Sequence, residues 1–135
     1  MKTYILVIPT HGLNSEQLSQ NLAYCTNYMY TICDINPLKS RIAPFFIPHT
    51  AFFESKDIDN RIYLRSQMKL LAPLIDMIST NNNEVYFAPE YNYTCIGAMA
   101  MQLCHEYCVD TVELPASTLA HKTVPEYIPC DTKEH

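Results

Sequence analysis

Glycine is almost missing from this 135-residue chain, which holds two, Gly12 and Gly97. A residue that weakens helices and permits close backbone approach is marked by its rarity where it does occur. Clustered cations are missing as well. Nine Lys and Arg stand against 14 Asp and Glu, for a net charge of −5, and no basic block exceeds a residue or two. Binding a phosphate backbone needs clustered cations, so no nucleic-acid footprint is expected. No apolar run approaches a membrane span. The opening MKTYILVIPTHG carries one Lys, an apolar run too short for a signal h-region and no small-residue cleavage site after it. It reads as a first strand, and the chain is expected in the cytoplasm. Without a secretory route, the six cysteines read as small buried hydrophobes instead of disulfides, and the sequon Asn92-Tyr93-Thr94 as idle.

What is present suits one globular domain: 48% apolar and 17% charged residues in a length that builds one core. Thr3 to Ile8 is a continuous apolar run, as in a strand buried on both faces. It ends in the turn Pro9-Thr10-His11-Gly12. Asn14 and Gln17 have capping-box spacing, and Leu18, Leu22, Cys25, Met29 and Ile32 follow on one helical face. Asn36-Pro37 stops that helix. Ile42 to Ile47 predicts a strand whose Pro44 places it at a sheet edge or a bulge. From Arg61, the residues Leu64, Met68, Leu71, Ile75 and Ile78 form a second stripe, which Pro73 should kink or end early.

Glu84 to Ala88 predicts a third buried strand, ended by Pro89. After the loop Glu90 to Tyr93, Thr94 can cap a helix with Ile96, Ala100, Leu103 and Tyr107 on one face and Gly97 in its first turn. Thr111 to Leu114 is a last strand. Residues 1–115 thus form the domain, and 116–135 a wrapping arm or tail without periodicity. Cys25, Cys33, Cys104 and Cys108 fall within predicted helices as core fillers. Cys104 and Cys108 share a face, but no second ligand pair follows at metal spacing, so no metal site is expected.

The order βαβαβαβ implies an α/β fold with parallel strands and right-handed crossovers. Ligands in such sheets sit beyond the carboxyl ends of the strands. Those ends carry Thr10, His11 and Gly12, then His49, then Glu90, Tyr91 and Asn92, with Thr94 and Gly97 opening the next helix. Three loops therefore bring polar groups to one rim.

With the strand ends Pro9-Thr10-His11-Gly12 and Ala43-Pro44-Phe45-Phe46-Ile47-Pro48-His49, and the segment Val85 to Tyr107 with Gly97 near its helix start, the chain resembles the nucleoside 2-deoxyribosyltransferase-like superfamily, especially its small phage and bacterial members. The resemblance spans roughly Tyr4 to Leu114. It implies a flavodoxin-like three-layer sandwich around a small, mostly parallel sheet of about four strands. It also implies a nucleoside or nucleotide at the strand ends and commonly an oligomer; a homo-oligomer without a cofactor is expected here. Its enzymes carry a Glu nucleophile soon after a Gly on the helix following the third strand. Aligned on Gly97, that place holds Met101, and a thioether can neither attack an anomeric carbon nor stabilise an oxocarbenium ion as a carboxylate does.

Each candidate has a plainer role beside the functional one. Glu90 can meet a ribose hydroxyl or simply favour the helix N-terminus. His11 and His49 can contact a phosphate or base, or be structural. Tyr91 and Tyr93 can stack on a base, and Thr94 is a cap that can also meet a phosphate. Arg61 and Arg65 can pair with a phosphate or form a solvated face. The expectation is a protein that binds a nucleotide-derived small molecule without turnover. In a viral chain acting in the host cytoplasm, this would be a sponge for a host immune nucleotide. The alternative is an N-glycosidic enzyme, a deoxyribosyltransferase or nucleoside hydrolase, using Glu90, with Glu106 further along the helix as a poorer substitute. A third reading makes it a scaffold whose tail from Pro115 wraps a neighbour.

Overall fold

The computed structural model describes residues 1–10, 12–47, 69–80, 83–89 and 95–122. They build an α/β fold, a flavodoxin-like three-layer sandwich. Four strands, β1 (Lys2–Pro9), β2 (Ser40–Ile47), β3 (Glu84–Phe87) and β4 (Thr111–Glu113), form one sheet in the order β2-β1-β3-β4. Every pairing is parallel, running from Lys2↔Ser40 to Pro9↔Ile47 in the first, Tyr4↔Glu84 to Val7↔Phe87 in the second and Val85↔Thr111 to Phe87↔Glu113 in the third. The three helices among the described residues are α1 (Ser15–Thr31), α2 (Ala72–Thr80) and α3 (Cys95–Glu106).

The two-residue period of the central strands divides the core. Ile5 and Val7 of β1, with Val85 and Phe87 of β3, face Leu74 and Ile78 of α2 and Ala100, Leu103 and Cys104 of α3. Leu6 and Ile8, with Tyr86 and Ala88, face Cys25 and Met29 of α1. Ile5 to Ile8 are wholly buried, which explains a first strand that is apolar at every position instead of alternating. The helices take opposite sides because the chain reverses direction across the sheet. It moves one way from β1 to β2 and the other way from β2 to β3 and β4. A constant crossover hand then puts α1 on one face and α2 and α3 on the other.

Local signals are realised closely. The Asn14 side chain accepts from Gln17 N at 2.8 Å and Gln17 Oε1 from Asn14 N at 3.1 Å, a reciprocal capping box. Pro44 stands exposed in β2, which pairs only with β1 among the described residues; an edge tolerates a residue with no N–H. Lys69 and Leu70 are helical, Leu71 breaks the run, and α2 restarts with Pro73 in its first turn. A proline there lacks only a donor that would have had no partner in the helix. Asn83, buried before β3, donates to the Met77 carbonyl at 2.6 Å and so serves the end of α2.

Three expectations are corrected. Cys33 lies beyond the end of α1 and is only half-buried. Cys108 is exposed beyond α3 with φ 57, so it shares no helix face with the buried Cys104. Tyr107 and Ile32 also fall just past their helices and stay exposed instead of completing an apolar face. In each case the chain is already unwinding where the period is still counted.

Three thiols and one phenol tie the stability of the fold to alkaline pH. Burial pushes the Cys104 thiol up to about 11. Burial also raises Cys25 and, with the charge of Glu84, Cys33. Tyr86 is raised furthest, first by burial and then by the hydrogen bond it donates to Glu84 Oε1 at 2.9 Å. Folded, these groups keep their protons at a pH where the unfolded chain has released them, so unfolding releases protons and stability falls as pH rises. The contribution of Cys104 is complete below the ordinary thiol value of 9.0 and is lost towards about 11. Urea midpoints measured in reductant at pH 8, 9, 10 and 11 should fall steadily. Cys104→Ala should show a shallower fall, and an unchanged slope would contradict this origin.

Candidate functional site at the strand ends

The strand order places a switch point between β1 and β3. Both strands are central and adjacent, but the chain leaves β1 for α1 on one face and leaves β3 for α3 on the other. Loops that diverge in this way open a crevice at the carboxyl edge, where ligands of such sheets bind.

On the β1 side, Pro9 is buried and Thr10 half-buried. Thr10 Oγ1 donates to the Ile47 carbonyl at 3.0 Å, clasping the carboxyl ends of β1 and β2 together. Leu13 N donates to the Thr10 carbonyl at 3.3 Å and closes a four-residue turn. Gly12, third in that turn, has φ 77, which a residue with a Cβ resists. Two residues later Asn14 caps α1, so the helix N-terminus opens directly onto the rim. On the β3 side, Ala88 N donates to the Val7 carbonyl at 2.9 Å, carrying the β1–β3 pairing one residue past the strand. Pro89 is buried there, and Gly97 is buried in the first turn of α3. The N-termini of α1 and α3 therefore follow the two central strands, and the dipole of each helix favours negative charge at that end.

No protein-family model, no curated protein and no solved structure matches this chain. The site therefore rests on its own geometry.

Of the residues expected at the rim, Thr10 and Gly12 follow the carboxyl end of β1, and Gly97 lies in the first turn of α3. His11, His49, Glu90, Tyr91, Asn92 and Thr94 lie outside the described residues, as do Tyr93, Arg61 and Arg65. Met101 packs against the core under α2 and α3. Glu106, the last residue of α3, is exposed at the end remote from the rim and accepts from Gln102 Nε2 at 3.3 Å. The described rim residues Thr10, Gly12, Ala88, Pro89 and Gly97 offer a hydroxyl, backbone groups and small surfaces. They supply positioning chemistry and no acid or base. Sequence periodicity does not reveal the Thr10–Ile47 clasp, because it joins residues 37 positions apart. Thr at the end of the first strand is its one visible sign.

No described helix is long and apolar enough to cross a membrane.

Proposed function

We propose that the crevice between the carboxyl ends of β1 and β3 binds a nucleotide-derived small molecule and does not turn it over. The observation that carries this reading is the parallel order β2-β1-β3-β4, with its switch point between β1 and β3, each of which is followed by a helix on a different face. A phosphate-bearing ligand suits the N-termini of those helices. A glycine at φ 77 lets backbone approach a ligand that a Cβ would hold off. Absence of turnover is supported by Met101: where the resemblance puts the nucleophilic Glu, this chain has a thioether packed against its core. In a viral chain, the same binding would sequester a host immune nucleotide, such as cyclic ADP-ribose or a related compound.

The test is native mass spectrometry of protein purified from its producing cells, followed by heat denaturation and identification of what is released. Recovery of an intact nucleotide is expected. The native mass also counts subunits, for which a homo-oligomer is expected. A cleaved ligand, or free base released from a panel of nucleosides, would overturn the binding reading in favour of an N-glycosidic enzyme. In that event Glu90→Gln should abolish turnover and leave the melting temperature in place.

A further inference from the structure

The sheet face that carries α1 has no second helix among the described residues, and a short irregular segment packs there instead. After β4, Leu114 N still donates to the Phe87 carbonyl at 2.9 Å, and Leu114 is buried. The chain then turns through exposed Pro115 into a 3-10 turn, Ala116–Thr118, and runs on to Lys122 beside α1. Thr118 is buried and Leu119 packs against the core on this side.

The attachment is concentrated on three residues of one helix. Asn21, wholly buried in α1, accepts from Ala120 N at 2.9 Å and His121 N at 2.8 Å and donates to the His121 carbonyl at 2.6 Å. Its amide thus pairs with the His121 backbone in both directions, as a neighbouring strand would. The neighbouring Gln20 meets the His121 ring through its Oε1. One turn further on, Cys25 Sγ lies 3.8 Å from Thr118 Oγ1 and 3.9 Å from the Thr118 carbonyl. The remaining bonds, from Thr118 N and Thr118 Oγ1 to the carbonyl of Pro115 just before the segment and from Leu119 N to the Ala116 carbonyl, are local and make no contact with α1.

We propose that residues 116–122 form a releasable strap, which leaves α1 as a unit while the sheet and helices stay folded and so uncovers Cys25 and the adjoining sheet face. Three features support this. The segment's own bonds survive release, so it detaches without losing its local turn. Ala116, Ser117, Ala120 and Lys122 are already exposed, so the surface uncovered by release is confined to Thr118, Leu119 and what they cover. The groups unpaired by opening, chiefly the Asn21 amide and the backbone of residues 120–121, then face water and are resatisfied. A short segment held at a few side chains opens at lower free energy than the whole domain. The anchor lies in the half of α1 nearest the Gly12 turn, so the strap grips the helix that borders the proposed crevice. Its release does not depend on what that crevice binds.

Cys25 and Cys104 make the test direct, because both are wholly buried, one on α1 beneath the strap and one on α3 in the core of the other face. The full-length protein is treated with a neutral thiol reagent under native conditions. Modification at each cysteine is followed by mass spectrometry and normalised to its rate in denaturant. Cys25 is expected to react at least tenfold faster than Cys104. Asn21→Ala should raise the Cys25 rate about a further tenfold and leave Cys104 unchanged. Gln20→Ala, a milder change should the first variant fail to fold, should raise it about twofold. Equal rates at the two cysteines would show that Cys25 is reached only by global unfolding and would overturn the strap. A fast Cys25 rate that neither variant alters would overturn it too, by placing the opening elsewhere.

Discussion

Replacing Phe87 by alanine is expected to destabilise the fold by about 3–5 kcal/mol, the usual cost of emptying a buried aromatic site. Phe87 is the largest wholly buried side chain among the described residues, and its neighbours cannot readily move in to fill the space. Its strand is held on both sides, with Val7 paired across on β1 and Glu113 on β4. Above it lie the facing residues of two helices, including Leu74 of α2 and Ala100 and Leu103 of α3. A domain of this size has roughly 5–15 kcal/mol in total, so the variant should be only marginally folded at 37 °C. Urea unfolding followed by circular dichroism gives the value. The midpoint should drop with little change in slope, because the surface exposed on unfolding is nearly the same. Phe87→Leu, which keeps most of the volume, should recover most of the loss. Phe45→Ala, at a half-buried position on the edge strand, should cost clearly less. A loss at Phe87 below about 1.5 kcal/mol would mean that the helices close over the gap and that the two layers are not tightly joined there.

The parts of this fold that are legible in the sequence are those fixed by neighbours along the chain. The capping box of Asn14 and Gln17 needs three residues of spacing and no tertiary context. The burial of β1 follows from an unbroken apolar run, and the edge position of β2 from a proline in mid-strand. Asn21 shows the opposite case. It interrupts an apolar stripe and reads as a surface residue, but it is wholly buried because its partners arrive 99 and 100 residues later. No periodicity could have found it. Cys33 and Cys108 fail for a related reason: the periodic pattern does not show where the last turn frays, and both lie just beyond it, near or at left-handed backbone, with Asp34 and Cys108 each at φ 57. At the rim, the strand ends were legible because prolines and glycines mark them. The clasp between the ends of β1 and β2 was not, since nothing local links Thr10 to Ile47.

The rim itself yields the second large effect. Gly12→Val should lower the fraction of purified protein that carries nucleotide by at least tenfold, and should lower stability by about 1–2 kcal/mol. A β-branched residue is a steric outlier at positive φ, so valine either strains the Thr10–Leu13 turn or pulls it open. Opening it would shift the Thr10 hydroxyl from the Ile47 carbonyl and the Asn14 cap from the start of α1, which are the features that shape this wall of the crevice. Gly12→Asn separates the two possible consequences. Asparagine tolerates left-handed backbone far better than valine, so its stability should stay within about 1 kcal/mol of the native chain. Its side chain still occupies the space that glycine leaves empty, so occupancy should remain low if the backbone at Gly12 lies against the ligand. Nucleotide content from native mass spectrometry and urea midpoints on the same preparations give both quantities. Full occupancy in both variants would show that the β1 wall does not touch the ligand and would move the site away from this crevice. Loss of occupancy in Gly12→Asn at native stability would place the backbone of the first turn against the bound molecule, because the fold would be intact and only the approach would have changed.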